Sequence, residues 1–259
     1  MSADLVKVES SATAATYGPT PAIWTGFNLE AIRCDPSRGA LWEFNGRDMG
    51  FLTANAVAGP GFASTGVTQV GDSVAGGGVV VGVDTDNDAI VIKQAACPFY
   101  LDLGKGKFAF EACVKFSTIA NTINGAFIGL LDAVAPSATV PMPDDGTLSD
   151  NNMVGFWRLE GDGDRCDTTY TANGIARVIV AADAVTLVAN AYIRLGMTFD
   201  GAVLTFWADG VKLATTKTIP TADGTDFPND VYMGACIALK NASTTGTLGI
   251  MWARAAQMY

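Results

Sequence analysis

The chain reads as an all-β protein, an antiparallel sandwich or jelly roll preceded by an extended N-terminal arm, and three observations predict this. From residue 41 onward apolar and polar residues alternate at period 2, and no long amphipathic helix interrupts them. Phe108, Phe110, Ala112, Val114 and Phe116 alternate with Ala109, Glu111, Cys113 and Lys115, the pattern of a strand with one face in a core. Two Asp-Gly pairs, Asp200-Gly201 and Asp209-Gly210, stand nine residues apart between alternating apolar runs. Asp-Gly is a strong hairpin signal because a type I′ turn needs positive φ at both central positions. A three-stranded antiparallel meander is therefore predicted from Tyr192 to Thr215.

Residues 1–40 show neither a period of 3.6 nor a sustained period of 2. They hold Pro19, Pro21 and Pro36, yet carry Tyr17, Trp24, Phe27 and Leu29. A segment of this kind cannot build its own core, so it either lies along the domain as an extended strap or docks on another subunit. The sandwich domain then spans residues 41–259. Besides the strand at 108–116 and the meander, strands are expected at 89–93, 126–131, 153–159, 176–180, 231–239 and 247–253. Three acidic segments of turn composition read as loops: Asp84-Thr-Asp86-Asn-Asp88, Asp144-Asp145 with Asp150, and Gly161 to Asp167. No internal repeat is visible, which disfavours a propeller or solenoid.

The 259 residues include no histidine. That removes Ser-His-Asp and Cys-His nucleophile pairs, His-held zinc and a His general base. A formal charge of −10 and a pI near 4.3 argue against nucleic acid or an anionic membrane as partner, since both need a basic footprint. Acidity is uneven: residues 1–40 carry four acids and three bases, residues 41–168 sixteen and seven, residues 169–259 six and six. Hydrophobic residues make up 49% and mean hydropathy is +0.27, so there is ample apolar surface for a core and little case for disorder. No apolar run reaches the roughly 18 residues of a membrane span, and Met1 to Glu9 lacks the order of a signal peptide. The expectation is a chain made and kept in a cytosol. Five scattered cysteines without a CxxC then read as reduced, mostly buried thiols.

Motif tests are mostly negative. Asp84, Asp86 and Asp88 open like a calcium loop, but Ala89 stands where the turn glycine belongs and Ala95 where a bidentate Glu belongs. A looser calcium site built from the acidic loops stays open; otherwise these are solvated turns. Among Glu9, Glu30, Glu43, Glu111 and Glu160 the closest two are thirteen residues apart, so no strand carries the carboxylate pair of a glycosidase. Phosphate-loop, dinucleotide-binding and GxSxG motifs are absent, and Asn241-Ala-Ser243 is a sequon a cytosolic chain does not use. The prediction is a protein that is not an enzyme and needs no cofactor or metal. Phe156, Trp157, Phe206, Trp207 and Trp252 sit on expected strands, where core packing is the default. Alternation puts adjacent members on opposite faces, which frees one of each pair for a groove or contact.

Phe108-Ala-Phe-Glu-Ala-Cys-Val-Lys, Gly155-Phe-Trp-Arg, and the two Asp-Gly hairpins from Tyr192 through Leu204-Thr-Phe-Trp-Ala give residues 107–259 their resemblance to the concanavalin A-like, laminin G-like sandwich superfamily. The resemblance implies a fold and not by itself sugar binding. A narrower one covers residues 41–259: Leu41-Trp-Glu-Phe, Asp86-Asn-Asp88, Phe110-Glu-Ala-Cys-Val-Lys-Phe, Gly129-Leu-Leu-Asp-Ala-Val, Ile219-Pro-Thr, Leu239-Lys-Asn and a terminal Ala255-Ala-Gln257. In this order they resemble the capsid decoration, or cement, proteins of tailed bacteriophages. That resemblance implies a structural virion protein on the outer capsid surface, made in the host cytoplasm, with the major capsid protein as partner. It also implies a dimeric or trimeric homo-oligomer and no catalytic residues. In this reading Tyr17, Trp24, Phe27 and Leu29 are the arm's anchors on the capsid, because buried aromatics dominate interface energy. The alternative is a lectin-like carbohydrate-binding module for host-surface glycans, using an aromatic platform and calcium held by the acidic loops.

Overall fold

The structure, a computed structural model, describes residues 17–45, 62–64, 67–71, 79–83, 89–94, 96–119, 124–132, 140–142, 147–159, 161–221, 226–241 and 246–259. Two short helices, α1 (Pro21–Trp24) and α2 (Leu29–Cys34), precede the strands. Next come β1 (Gly39–Asn45), β2 (Phe62–Ser64), β3 (Val67–Gly71), β4 (Val79–Val83), β5 (Ala89–Lys93), β6 (Phe99–Tyr100), β7 (Phe108–Phe116) and β8 (Asn124–Asp132). The second half holds β9 (Met153–Arg158), β10 (Arg165–Thr171), β11 (Val178–Thr186), β12 (Tyr192–Phe199), β13 (Val203–Ala208), β14 (Val211–Thr218), β15 (Tyr232–Asn241) and β16 (Gly246–Met258).

Alternation decides the layers. One eight-stranded sheet runs β14-β13-β12-β7-β16-β4-β3 with β1 also on β16, and the other runs β11-β10-β9-β8-β15-β5-β2 with β6 also on β15. All pairings are antiparallel, so the expected antiparallel β-sandwich is what forms. Phe108, Phe110, Ala112, Val114 and Phe116 of β7 face the shared core, where they meet Phe156, Phe206, Leu130 and Ile237. Phe156 and Phe206 pack edge to face at 5.5 Å across the two sheets. Removing such a ring costs about 3–5 kcal/mol, so this layer supplies much of the stability.

Among the described residues the central strands of each sheet are covered on their outer side, while the edge strands β11 and β14 are largely exposed. Behind the second sheet, Val91, Phe127, Leu131, Met153, Trp157 and Cys236 form a separate buried cluster closed by Met142. The Arg177 guanidinium lies 3.6 Å from the centre of the Trp157 ring. On the first sheet the N-terminal segment lies across β7, β12 and β16 (Tyr17 with Tyr192, Ile23 over Gly196). Among the described residues no helix is long and apolar enough to cross a membrane.

Three local readings change. The arm, expected to be extended, contains α1 and α2 because Pro21 follows Thr20 at a helix start and Asn28 Oδ1 accepts the Ala31 N–H at 2.9 Å. Cap chemistry makes these turns, and helices of four and six residues are too short to register as a period. Asp209 and Gly210 both have positive φ, as a type I′ turn requires, whereas of Asp200 and Gly201 only the glycine does. There Asp200 Oδ1 accepts the N–H groups of Ala202 and Val203, an Asx-type turn one residue longer. The acidic segment 161–167 is not all loop, for β10 starts at Arg165.

The strap is held by one carboxylate. Glu111, with no exposed surface, accepts the Thr20 N–H at 2.9 Å, the Thr20 hydroxyl at 2.5 Å and the Trp24 indole N–H at 2.7 Å. Trp252 donates its indole N–H to Tyr17 O at 2.6 Å, and Arg194 Nη1 reaches Gly18 O at 3.0 Å. Replacing Glu111→Ala leaves the Thr20 and Trp24 donors without an acceptor and is expected to destabilise the fold by about 2–4 kcal/mol. Urea unfolding reads this directly; an unshifted midpoint would mean that the strap contributes nothing to the sandwich.

Candidate functional site

An open cleft of about 490 Å³ lies at one end of the sandwich, inside the roughly 300–1,000 Å³ range usual for ligand sites. Tyr100, Gly104, Lys105, Gly106, Asp230, Tyr232, Gln257 and Tyr259 line it. Each wall follows from strand geometry. In the β6–β15 pairing Tyr100 stands opposite Tyr232 and Phe99 opposite Met233. Phe99 and Met233 are fully buried in the core, so alternation turns both tyrosines outward. Their rings meet at 4.8 Å between centroids with 39° between planes. Tyr259, just after β16, forms the third wall; its N–H donates to Arg38 O at 3.1 Å and its hydroxyl to Pro98 O at 3.2 Å.

A two-residue strand cannot hold itself in place, and a buried amide does it instead. Gln257, 1% exposed, accepts the Tyr100 N–H on Oε1 at 2.8 Å and donates from Nε2 to Tyr100 O at 2.6 Å. Its side chain thus supplies both hydrogen bonds that a neighbouring strand would give Tyr100. Gly106 must lack a side chain, because a Cβ there would lie 1.5 Å from Met258 O. The loop from Asp102 to Gly106 can then press onto the end of β16 and bring the Lys105 ammonium to 5.7 Å from the Tyr100 ring centre. Tyr232 is 59% and Tyr259 67% exposed, and partial desolvation raises the pKa of Tyr259.

The residues singled out from sequence lie elsewhere. Tyr17 and Trp24 direct their polar groups and rings onto the chain's own first sheet, as the strap alternative has it. Phe27 packs edge-on against Trp24 at 5.9 Å, and Leu29 opens α2; both are half-buried. Trp157 is buried under Arg177, Trp207 donates to Thr198 Oγ1 at 3.0 Å, and Trp252 holds the strap, so none of these faces the cleft. The three cleft tyrosines carry no local signal, being spread from position 100 to 259 and joined only by register.

The carboxylates are also placed. Glu43, Arg254 and Glu111 stand in one row across β1, β16 and β7. Glu111 is covered by the strap, and Glu43 pairs with Arg254 at 2.9 Å and with Arg33. Glu9 and Glu160 lie outside the described residues, as do Asp84, Asp86, Asp88, Asp144 and Asp145. Among the described residues no three potential metal ligands gather. Within the acidic segment expected to be solvated, Asp167 is only 6% exposed and accepts the Asp183 N–H at 2.8 Å. Burial holds its carboxyl above the usual aspartate value.

No protein-family model matches the chain, and no curated protein is similar to it in sequence. Solved structures are similar in fold. A protein of unknown function, SO2946 from Shewanella oneidensis MR-1, superposes with a TM-score of 0.54 at 10% identity, over 86% of this chain and 87% of that one. It shares the sandwich. Looser likenesses are the carbohydrate esterase vb_24B_21 of the Shiga toxin-encoding bacteriophage phi24B (TM-score 0.45, 17% identity, 76% of this chain and 90% of that one) and the carbohydrate recognition domain of Emp46p (0.44, 10%, 77% and 88%).

Two expectations follow. Replacing Gln257→Leu removes both hydrogen bonds that its amide gives the Tyr100 backbone, so stability should fall by about 1–3 kcal/mol, and protection of the Tyr100 amide in hydrogen exchange should fall with it. For Asp167 the folded pKa lies above the unfolded one, so the folded state binds the extra proton between the two values. Stability therefore declines as pH rises through that window and stays lower above it. Asp167→Asn, which keeps the acceptor for Asp183, should flatten that decline in pH-dependent melting.

Proposed function

We propose that the protein is a carbohydrate-binding module and that the cleft between Tyr100, Tyr232 and Tyr259 is its ligand site. One observation carries the reading: Tyr232 and Tyr259 keep more than half of their surface in water beside Tyr100, whereas the other aromatic rings among the described residues are buried or half-buried. Tyrosine offers a rigid apolar face and a polar tip, and little rotamer freedom is lost when a ligand settles on it. The C–H faces of a sugar ring match such faces. Sugar hydroxyls match the rim, where the Lys105 ammonium donates and the Asp230 carboxylate accepts. An apolar ligand would leave that rim unsatisfied. A polyanion would meet Asp230 and a net charge of −10.

Capsid decoration is kept as a second reading on the sequence resemblance alone, with Phe27 and Leu29 as the anchors whose surfaces remain partly open. The two readings are compatible, since a decoration protein can display a glycan-binding domain.

The test is calorimetric titration of the full chain with a panel of neutral, amino and acidic oligosaccharides. At least one should bind, and Tyr232→Ala should weaken it by about ten-fold or more, corresponding to roughly 1.4 kcal/mol, with the melting curve unchanged. Absence of binding across the panel, or binding indifferent to Tyr232→Ala, would sink the proposal.

A further inference from the structure

Lys93 is a buried cation in an unusual setting. It ends β5 on the outer face of the second sheet and is 4% exposed. A buried ammonium ordinarily needs a carboxylate. Among the described residues Nζ has none within ion-pair distance, and donates instead to Gln94 O at 3.2 Å and to Cys97 Sγ at 3.3 Å. Gln94, next to Lys93, is anchored on β15, because it exchanges hydrogen bonds with Ala235 through its N–H at 2.8 Å and its Oε1 at 3.3 Å. Cys97 itself is half-buried, open enough for a small oxidant to reach.

The other thiols differ. Burial pushes Cys113 and Cys236 up to about 12 and raises Cys166 as well, which leaves them protonated and shielded. Cys34 is exposed, but among the described residues no amine lies in hydrogen-bond reach of it. Among the described residues an accessible sulfur and a held amine coincide only at Cys97. Their 3.3 Å separation falls in the roughly 3–3.5 Å range of near-attack geometry, where effective molarity is high.

We propose that Lys93 and Cys97 form a reversible oxidative cross-link, a sulfur–nitrogen bond made in the presence of hydrogen peroxide. In the first step Cys97 Sγ attacks peroxide: an S–O bond forms, the O–O bond breaks, water leaves, and the sulfur becomes a sulfenic acid, oxidised by two electrons as peroxide is reduced. In the second, the Lys93 ammonium gives one proton to the departing hydroxyl and one to solvent. Its nitrogen lone pair then forms the S–N bond as the S–O bond breaks and a second water leaves. A thiol reductant cleaves the S–N bond and restores both side chains.

The experiment treats the full chain with hydrogen peroxide, alkylates residual thiols, digests with trypsin and reads peptide masses. Cross-linking removes the cleavage after Lys93, so a peptide running through Lys93 to Lys105 should appear, lighter by two hydrogens and carrying no alkyl group on Cys97. Dithiothreitol before alkylation should restore cleavage. The species should be lost in Cys97→Ser and in Lys93→Met, with the melting curve and alkylation of Cys34 showing that each variant is folded. Three results would overturn the proposal: Cys97 as sulfinic acid with Lys93 still cleaved, a Cys97–Cys236 disulfide with Lys93 still cleaved, or an unmodified Cys97 beside an oxidised Cys34.

Discussion

A carboxylate without exposed surface in the middle of a strand constrains everything on its side of the sandwich. The backbone of Glu111 is committed to β12 and β16, so the donors its side chain needs must come from outside the sheet. Left bare, a buried anion costs several kcal/mol. Thr20 and Trp24 meet that need, and with it set the path of the N-terminal segment. Thr20 precedes α1 at the cap position, yet its hydroxyl serves Glu111 and not the helix. Ile23 then falls over Gly196, where a Cβ would sit 2.6 Å from its Cδ1, so the neighbouring strand must be bare at that point. The β16 bulge between Ile250 and Trp252 lets Met251 join Cys113 and Tyr192 on this face, with Trp252 and Tyr17 packed against them. One carboxylate, one small residue and one bulge thus specify a strap.

Closing that face leaves the open aromatic surface elsewhere. With the strap on the first sheet and a second apolar cluster behind the other, the described surface offers an accessible aromatic hollow at an end of the sandwich, not on a sheet face. The end is where strands β6, β15 and β16 reach different lengths and leave a step. Gln257 turns that step into a rigid wall, since a side-chain amide can copy the donor and acceptor of a strand backbone. The cleft therefore rests on a buried polar group, just as the strap does.

These two polar groups also mark where the sequence stops being legible. Strand positions and the core could be read because alternation is a local signal: the inward faces of β7, β12 and β13 match it residue by residue. Glu111 follows the same alternation as Ala109 and Lys115, so from sequence it is one more outward residue on a half-buried strand. Its burial depends on a segment about ninety residues away. Tyr100 and Tyr232 meet only because Phe99 and Met233 must both enter the core, a matter of register that neither segment reveals alone. The arm's aromatics were legible as residues that need a surface, but not which surface, because Trp24 and Tyr17 would suit a partner as well as their own sheet. At Asp167 the neighbouring glycines and acids suggested a turn, and the pairing of Asp167 with Trp157 on β9 overrode that local preference.

The excess of acid takes on a different meaning in the fold. Taken as a bulk property it excludes partners; taken residue by residue it serves backbone N–H groups. Asp35 accepts from Ser37, Asp102 from Leu103, Asp150 from Gly174, Asp167 from Asp183, Asp200 from Ala202 and Val203, and Asp209 from Arg194. A sandwich of short strands has many turns, and each turn leaves N–H groups that no ladder satisfies. Aspartate fills that place better than a base can, being an acceptor with a short side chain. Part of the acidity thus belongs to the topology, and the same number of turns built with lysine would leave those amides unpaired. Charge of this origin stays close to the backbone it serves. The cleft, with one ammonium and one carboxylate on its rim, is left near neutral, a balance suited to uncharged hydroxyls rather than to a strongly charged ligand.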